Sequence, residues 1–433
     1  MPLMKALYPR QGEASAFFTT TLEDGSNTID TSSVGTGKTV VAADIAQKLK
    51  CPIAVICPKS IIPSWERELK EFGVEPEFVL NYEKIRTGKT PHMTKKGKRI
   101  MNWHLPEGTL VLVDEIHKCK GPYTQNAQLV ISLVQQGYQV HGMSATACED
   151  PTEMRAIGFM LGLHSLNKST SHKRSWYSWM LSNGCAQDPW NQWRLISRSK
   201  LTAVKESIYG KTGCKLTIED FPDSFKENRV FVEPVWFNNS KDIVNAYADL
   251  GITPTIVQEY IEKGTVTESE HILVNLLRAR QLAESFKTPC IADQAEDLVS
   301  QGNSVVIFLN FRESMDALCE KLKCPRIAGG QTSKERQEIV DAFQADAIQI
   351  IAVNTAAGGV GLSLHDTHGN RQRISLISPS FSAKDHLQTL GRIHRNGAKS
   401  DAIQKILVAA DSIEETVMKS INKKLKNLIA LHG

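Results

Sequence analysis

Five short apolar runs rich in β-branched residues set the first limit on this chain. IAVIC (53 to 57), LVLV (110 to 113), VVIFL (305 to 309), IQIIAV (348 to 353) and ISLI (374 to 377) alternate with stretches of helical periodicity. Largely apolar runs that do not alternate with polar residues mark strands buried on both faces, and helices cover such strands in a parallel sheet. The runs fall into an early group before residue 150 and a late group after residue 300. Two α/β domains, with different material between them, are the economical layout.

Composition narrows the function classes. The chain has 433 residues, 41% hydrophobic and 23% charged, enough to bury real cores in two or three domains. Its formal net charge is only +4, so nucleic-acid binding has to come from local patches rather than overall basicity. Nine scattered cysteines with no CxxC pair point away from a zinc framework or a disulfide scaffold and toward a reducing interior. The opening MPLMKALYPRQGEASAFF lacks an apolar core of signal-peptide length, and no 18 apolar residues run together. A cytoplasmic protein without membrane segments is expected.

The segment Ser32-Ser33-Val34-Gly35-Thr36-Gly37-Lys38-Thr39 precedes the helical stretch VVAADIAQKLK. Glycines let backbone N–H groups curl around phosphate oxygens at a helix N-terminus; Lys38 is expected to reach the β- and γ-phosphates and Thr39 to hold Mg²⁺. Ser32 stands where the general pattern has its first glycine. A second GKT, Gly88-Lys89-Thr90, follows no strand and Gly-rich turn and reads as a loop.

LVLV ends in Asp114-Glu115-Ile116-His117, which places two acids at the carboxyl edge of a buried strand, where open α/β sheets bind ligands. Asp114 is expected to bind Mg²⁺ and Glu115 to orient and deprotonate an attacking water, since phosphoryl transfer demands positioning and charge neutralisation. Ser144-Ala145-Thr146 follows YQVHGM at another strand end and fits a relay to a bound strand. In the late group, Gln388, Arg392 and Arg395 fall at i, i+4 and i+7 of a helical reading and so share a face. Two guanidinium groups there can stabilise a developing γ-phosphate charge. Thr355-Ala356-Ala357-Gly358-Gly359-Val360-Gly361-Leu362 follows IQIIAV, and its glycines permit close backbone approach to a phosphate.

Between the groups lie Trp176, Trp179, Trp190 and Trp193, with Lys173, Arg174, Arg194, Arg198 and Lys200. These tryptophans can stack bases or form a small core, and the core is the favoured reading. The stretch from Lys89 to Arg99 carries Lys89, His92, Lys95, Lys96, Lys98 and Arg99 with no acid, a phosphate-contacting or a solvated loop. At the C-terminus Ile413, Val417, Ile421, Leu425 and Ile429 recur every four residues behind a Ser412/Glu415 capping-box spacing, with Lys419, Lys423, Lys424 and Lys426 on other faces.

Taken in order, SSVGTGKT, PKSIIPSW, NYEKI, DEIH, SAT, TAAGGVGLSL and QTLGRIHRNG resemble motifs I, Ia, Ib, II, III, V and VI of superfamily 2 helicases. Asn81-Tyr82-Glu83, the AAGGVGLSL form and Asp411-Ser412-Ile413-Glu414-Glu415 look like the Swi/Snf-type translocases, in a minimal phage or bacterial form. Leu7-Tyr8-Pro9-Arg10-Gln11 is similar to the Q motif. DEIH and SAT depart from the DEGH or DEAH and the TGT of many such translocases. The resemblance implies an α/β fold of two RecA-like parallel-sheet domains with a helical, Trp-rich insertion between them. The divisions expected are 1–165, an insertion or linker over 166–230, and 231–433 with a helical protrusion and a C-terminal helix. It further implies that Gln11 reads adenine, that Gly35, Thr36, Gly37, Lys38, Thr39, Asp114 and Gln388 bind ATP, and that Lys59, Ser60 and Thr355 touch nucleic acid. His117, Ser144, Thr146, Gly359 and Gly361 couple the two sites. The function expected is ATP-dependent translocation on nucleic acid, DNA before RNA, with Mg²⁺ as cofactor and hydrolysis at the interface of the two domains. A strand-separating DNA or RNA helicase and a slowly turning nucleotide-switched clamp stand as alternatives.

Overall fold

The computed structural model describes residues 6–97, 100–221, 224–236, 240–263, 266, 270–355 and 362–432, with the main chain alone for 262, 263, 270 and 423–432. The chain divides into two compact units, Met1–Phe221 with Lys426–Gly433, and Pro222–Leu425.

The first unit holds β1 (Thr28–Asp30), β2 (Ile53–Cys57), β3 (Phe78–Asn81), β4 (Met93–Lys96), β5 (Ile100–Trp103), β6 (Leu110–Asp114), β7 (Gln139–Met143), β8 (Cys185–Gln187), β9 (Trp193–Leu195) and β10 (Gly213–Cys214). Six of these form one sheet in the order β10-β1-β7-β6-β2-β3, parallel at every pairing. Every residue of β2 and β6 is buried, as continuous apolar strands in a helix-covered sheet must be. The pairs β4–β5 and β8–β9 are separate antiparallel hairpins.

The tryptophan-rich segment packs into this unit. Trp176, Met180, Cys185, Leu201, Val204 and Ile208 join the cluster built on Val111, Val113 and Val140, and β10 adds an edge strand beside β1. The compact unit runs to Phe221 and so takes in most of 166–230, the stretch expected as an insertion or linker. Nothing in a two-residue strand such as Gly213–Cys214 has a period to read.

The second unit holds β11 (Asn228–Val235), β12 (Ser304–Leu309), β13 (Arg326–Ile327), β14 (Ile350–Asn354), β15 (Arg373–Ile377) and β16 (Ala402–Ala409), again all parallel, in the order β11-β16-β15-β12-β14-β13. Helices Ser240–Ala248, Pro254–Lys263 and Glu270–Ser300 precede β12. Lys287, buried in the longest of them, pairs with the buried Glu414 at 2.6 Å and so fastens it to the start of the final helix Ile413–His432. There the Glu415 carboxylate accepts the N–H of Asp411 at 3.0 Å, while Val417 and Ile421 are buried and Lys419 is exposed. The side chains of Lys423, Lys424, Leu425, Lys426 and Ile429 lie outside the described residues. Among the described residues no helix is long and apolar enough to cross a membrane.

Candidate nucleotide and coupling site

β1 ends in Asp30, and residues 31–37 turn into the helix Lys38–Leu49. Gly35 and Gly37 take φ of +88° and +91°, a region that costs other residues dearly. The loop is held from several sides. Asp30 Oδ1 accepts the N–H of Ser32 at 2.8 Å, and the Ser32 hydroxyl accepts the N–H of Leu216 at 2.8 Å. The Thr36 hydroxyl donates to Ser33 O at 2.8 Å. Gln11, buried on the helix Pro9–Glu23, accepts from Tyr8 N at 3.0 Å and donates to Thr36 O at 2.8 Å. A β-carbon on Gly37 would lie only 2.4 Å from Gln11 Nε2, so the φ favours glycine and any other residue would also push the Gln11 amide from its place.

Lys38 Nζ donates to Ser32 O at 2.7 Å and to Ser33 O at 3.0 Å, which keeps the ammonium over the loop. Thr39 is the second residue of the helix. The first N–H groups of a helix and a lysine at the same end make an anion-binding cradle.

At the end of β6 the Asp114 carboxylate is buried. Its Oδ2 accepts the indole N–H of Trp65 at 2.9 Å and its Oδ1 accepts Glu115 N at 2.8 Å, while Tyr82 donates to Asp114 O at 2.7 Å. Burial, and then the charge of Glu115, push the Asp114 carboxyl up to about 7. Two adjacent acids with that much unfavourable charge suit a bound divalent cation, and hard oxygen donors are what Mg²⁺ takes. Glu115 itself adopts φ +54°, left-handed for a residue with a β-carbon. Its Oε2 lies 2.9 Å from His117 Nδ1, and the same nitrogen lies 2.9 Å from the Ser144 hydroxyl. Ser144 Oγ accepts the N–H of Thr146 at 3.2 Å, and Ser144 N donates to Asp30 O at 3.0 Å. Glu115 and Ser144 thus meet at one His117 nitrogen, and with Thr146 they connect the ends of β6 and β7.

Lys59 and Ser60 lie in the short helical turn after β2, Lys59 exposed. In the basic hairpin Lys95 donates to Arg86 O at 2.8 Å and Gln125 Oε1 at 2.9 Å, which gives it a structural role; Lys98 and Arg99 lie outside the described residues.

In the second unit Gln388 is buried on the helix Ala383–Leu390. The single-face reading of Gln388, Arg392 and Arg395 needs correction, because the helix stops at Leu390, with Arg392 in the turn after it and Arg395 in irregular chain. Gly391 caps the helix, and Arg392 N bonds to Thr389 O at 3.0 Å, one residue closer than an α-helical bond. Arg392 is buried and donates to Leu362 O at 3.3 Å. Arg395 donates to Gly391 O at 3.1 Å and pairs with no carboxylate among the described residues; desolvation lowers its guanidinium to about 10. Thr355 is buried and donates to Leu309 O at 3.2 Å. Gly359 and Gly361 lie outside the described residues.

Trp65 and Tyr82 sit inside the quoted motifs PKSIIPSW and NYEKI yet carried no assigned role. The available signal was physical: a buried indole or phenol needs a polar partner.

Residues 290–397 match the family described as Helicase conserved C-terminal domain. A protein of Acanthamoeba polyphaga mimivirus named "Putative ATP-dependent RNA helicase L364" is 32% identical over 432 residues, covering 93% of this chain and 79% of its own length. The SWI/SNF-related matrix-associated actin-dependent regulator of chromatin subfamily A-like protein 1 homolog of Caenorhabditis elegans is 21% identical and matches 98% of this chain, which spans 61% of it. Among solved structures, S. cerevisiae Dbp5 bound to RNA and ADP BeF3 shares the fold at a TM-score of 0.50, with 11% identity over 98% of this chain and 92% of that one. The viral relative, whose match covers 93% of this chain, shows it to be an ATP-dependent helicase, and with the SWI/SNF-related relative it belongs to the Swi/Snf-like helicases of superfamily 2, a group of nucleic-acid-dependent ATPases.

Proposed function

We propose that this ATPase translocates along double-stranded DNA, hydrolysing ATP bound at the loop before the helix Lys38–Leu49. The observation that carries the reading is the line from Glu115 through His117 to Ser144 and Thr146, because it joins a water-activating acid to a neighbouring strand end. Gln11, Gly35, Thr36, Gly37 and Gln388 bind the nucleotide, and Lys38 offsets charge on its β- and γ-phosphates. Thr39 and Asp114 hold Mg²⁺, whose charge neutralises phosphate oxygens. Glu115 takes the proton of the attacking water, with His117 fixing its carboxylate. Arg392 and Arg395 meet the charge that develops on the γ-phosphate. Lys59, Ser60 and Thr355 contact the sugar-phosphate backbone, and the Ser144–Thr146 turn with Gly359 and Gly361 transmits its presence.

DNA is favoured over RNA by the Swi/Snf forms of NYEKI, AAGGVGLSL and DSIEE. The name of the viral relative favours RNA, which makes an RNA-dependent helicase the second reading. The ATPase rate of the purified chain with duplex DNA, single-stranded DNA or RNA decides between them. Duplex DNA is expected to stimulate most, and stimulation by RNA alone would establish the second reading.

A further inference from the structure

Three of the four clustered tryptophans are structural. Trp176 and Trp179 stack at 5.7 Å with His164 against both, and Trp193 packs on Tyr177 at 5.0 Å. Trp190 is different: it is 74% exposed at the tip of the β8–β9 hairpin.

That tip is tied by its own hydrogen bonds. Gln187 and Trp193 pair at the base of a loop in which Pro189 fixes one φ and Asn191 takes φ +60°. Asp188 Oδ1 accepts the N–H of Trp190 at 3.0 Å and that of Gln192 at 2.9 Å, Asp188 N donates to Gln192 O at 2.9 Å, and Asn191 N donates to Asp188 O at 2.9 Å. Arg194 pairs with Asp188 Oδ2 at 2.8 Å, so the one acid of the tip is neutralised by its own hairpin. Below, Cys185 is buried in the core of the first unit.

The surrounding chain is basic. Between Glu153 and Glu206 Asp188 is the only acid, against eight Lys and Arg, of which Lys168, Lys173, Arg174, Arg198 and Lys200 are exposed. An exposed indole on a hydrogen-bonded tip, within a stretch of chain so rich in exposed lysine and arginine, has the two elements of single-strand recognition, an aromatic face for a base and cations for its phosphates. Inside a duplex the base faces are already stacked on one another. We propose that Trp190 is a stacking pin that binds an unpaired base, on a single strand or where a duplex opens into one. The proposal rests on the reading of the chain as a nucleic-acid motor and adds a contact outside its ATP site.

The test compares the parent with Trp190→Ala and Trp190→Phe on three fluorescently labelled DNAs: a single strand, a fork with unpaired tails and a blunt duplex, read by anisotropy at fixed salt. Trp190→Ala is expected to lose affinity on the order of 10- to 100-fold for single strand and fork, the scale of one stacked base. Blunt-duplex affinity and the unstimulated ATPase rate should stay within about twofold, and Trp190→Phe, which keeps a π face, should retain most single-strand affinity. Parental affinity of Trp190→Ala on every DNA overturns the pin and leaves Trp190 to a protein contact. A loss equal on all three DNAs, or as large with phenylalanine as with alanine, also overturns it. If no nucleic acid stimulates the parent ATPase, the motor reading itself fails, a separate result from a stimulated parent with an indifferent Trp190→Ala.

Discussion

The indole N–H of Trp65 donates to Oδ2 of Asp114 across 2.9 Å, from a side chain with no exposure to solvent. One carboxylate oxygen is thereby committed and the plane of the group is fixed. Outer partners of this kind typically govern metal affinity by 10- to 100-fold. Trp65→Phe should fold and should weaken the Mg²⁺ dependence of nucleotide binding by about that factor. A fluorescent ATP analogue titrated at several Mg²⁺ concentrations reads this without turnover, and an unchanged Mg²⁺ dependence would remove Trp65 from the site.

Glu115→Gln keeps the shape of the side chain and removes its basicity. ATP affinity should remain close to that of the parent, while stimulated turnover falls by about 10²- to 10⁴-fold. Lys38→Ala should lose both together, since its ammonium acts on bound and reacting phosphates alike. Equilibrium ATP binding beside single-turnover hydrolysis separates the two behaviours.

Arg395→Ala should retain nucleic-acid binding and near-normal ATP binding, yet lose stimulated hydrolysis on the order of 10³-fold or more. A stimulated rate within about threefold of the parent would contradict the finger role, because losing a surface cation costs far less than losing such a finger.

Gly37→Ala forces a β-carbon against Gln11 Nε2 and a left-handed φ onto alanine. The variant should bind ATP more weakly and melt lower, with the φ alone costing about 1–2 kcal/mol. In the double variant Gln11→Ala/Gly37→Ala the clash disappears and the φ cost remains. The two substitutions are therefore expected to be non-additive in a double-mutant cycle read by melting, and strict additivity would show that they do not touch.

Acid should undermine the first unit through two buried histidines. Burial lowers His141, which shares a hydrogen bond with Thr28 at 2.8 Å, to about 3, and lowers His164 to about 4. Both rings take up protons near pH 6.5 in the unfolded chain and only at lower pH in the fold. Stability is therefore fully present above pH 6.5 and declines as pH falls toward 4, by about 1.4 kcal/mol per pH unit for each ring. His141→Gln should flatten the fall in denaturant midpoint between pH 6 and pH 4, and an unchanged slope would place the acid sensitivity elsewhere.

Much of the fold was legible because buried parallel strands advertise themselves. IAVIC coincides with β2, LVLV with all but the last residue of β6, and VVIFL with all but the first residue of β12. The short pieces were silent: β1 is the three residues TID, β10 two, and each is a strand only because its neighbour completes the pairing. Most candidate site residues of the first unit follow strand ends, Gly35 to Thr39 after β1, Glu115 and His117 after β6, and Ser144 and Thr146 after β7, while Gln11 lies on a helix. The arginine pair was misplaced by periodicity, which carries on through Gly391 although the helix stops before it. Trp65 escaped notice for a different reason, since its partner lies 49 residues away and no local pattern connects an indole to a distant carboxylate.

The bracing of Ser32 by Leu216 has a consequence for how the chain is made. The glycine-rich loop after β1 leaves the ribosome early, but its outer support, β10 and the residues after it, comes late, with Leu216 184 positions after Ser32. Domains fold largely as units during synthesis, so the completed loop must await nearly the whole first unit. Until then the flank of β1 is an open sheet edge, and open edges are where foreign strands add. A nascent chain stalled between His164 and Leu216 has that edge unpaired and its glycine-rich loop without the Ser32–Leu216 brace.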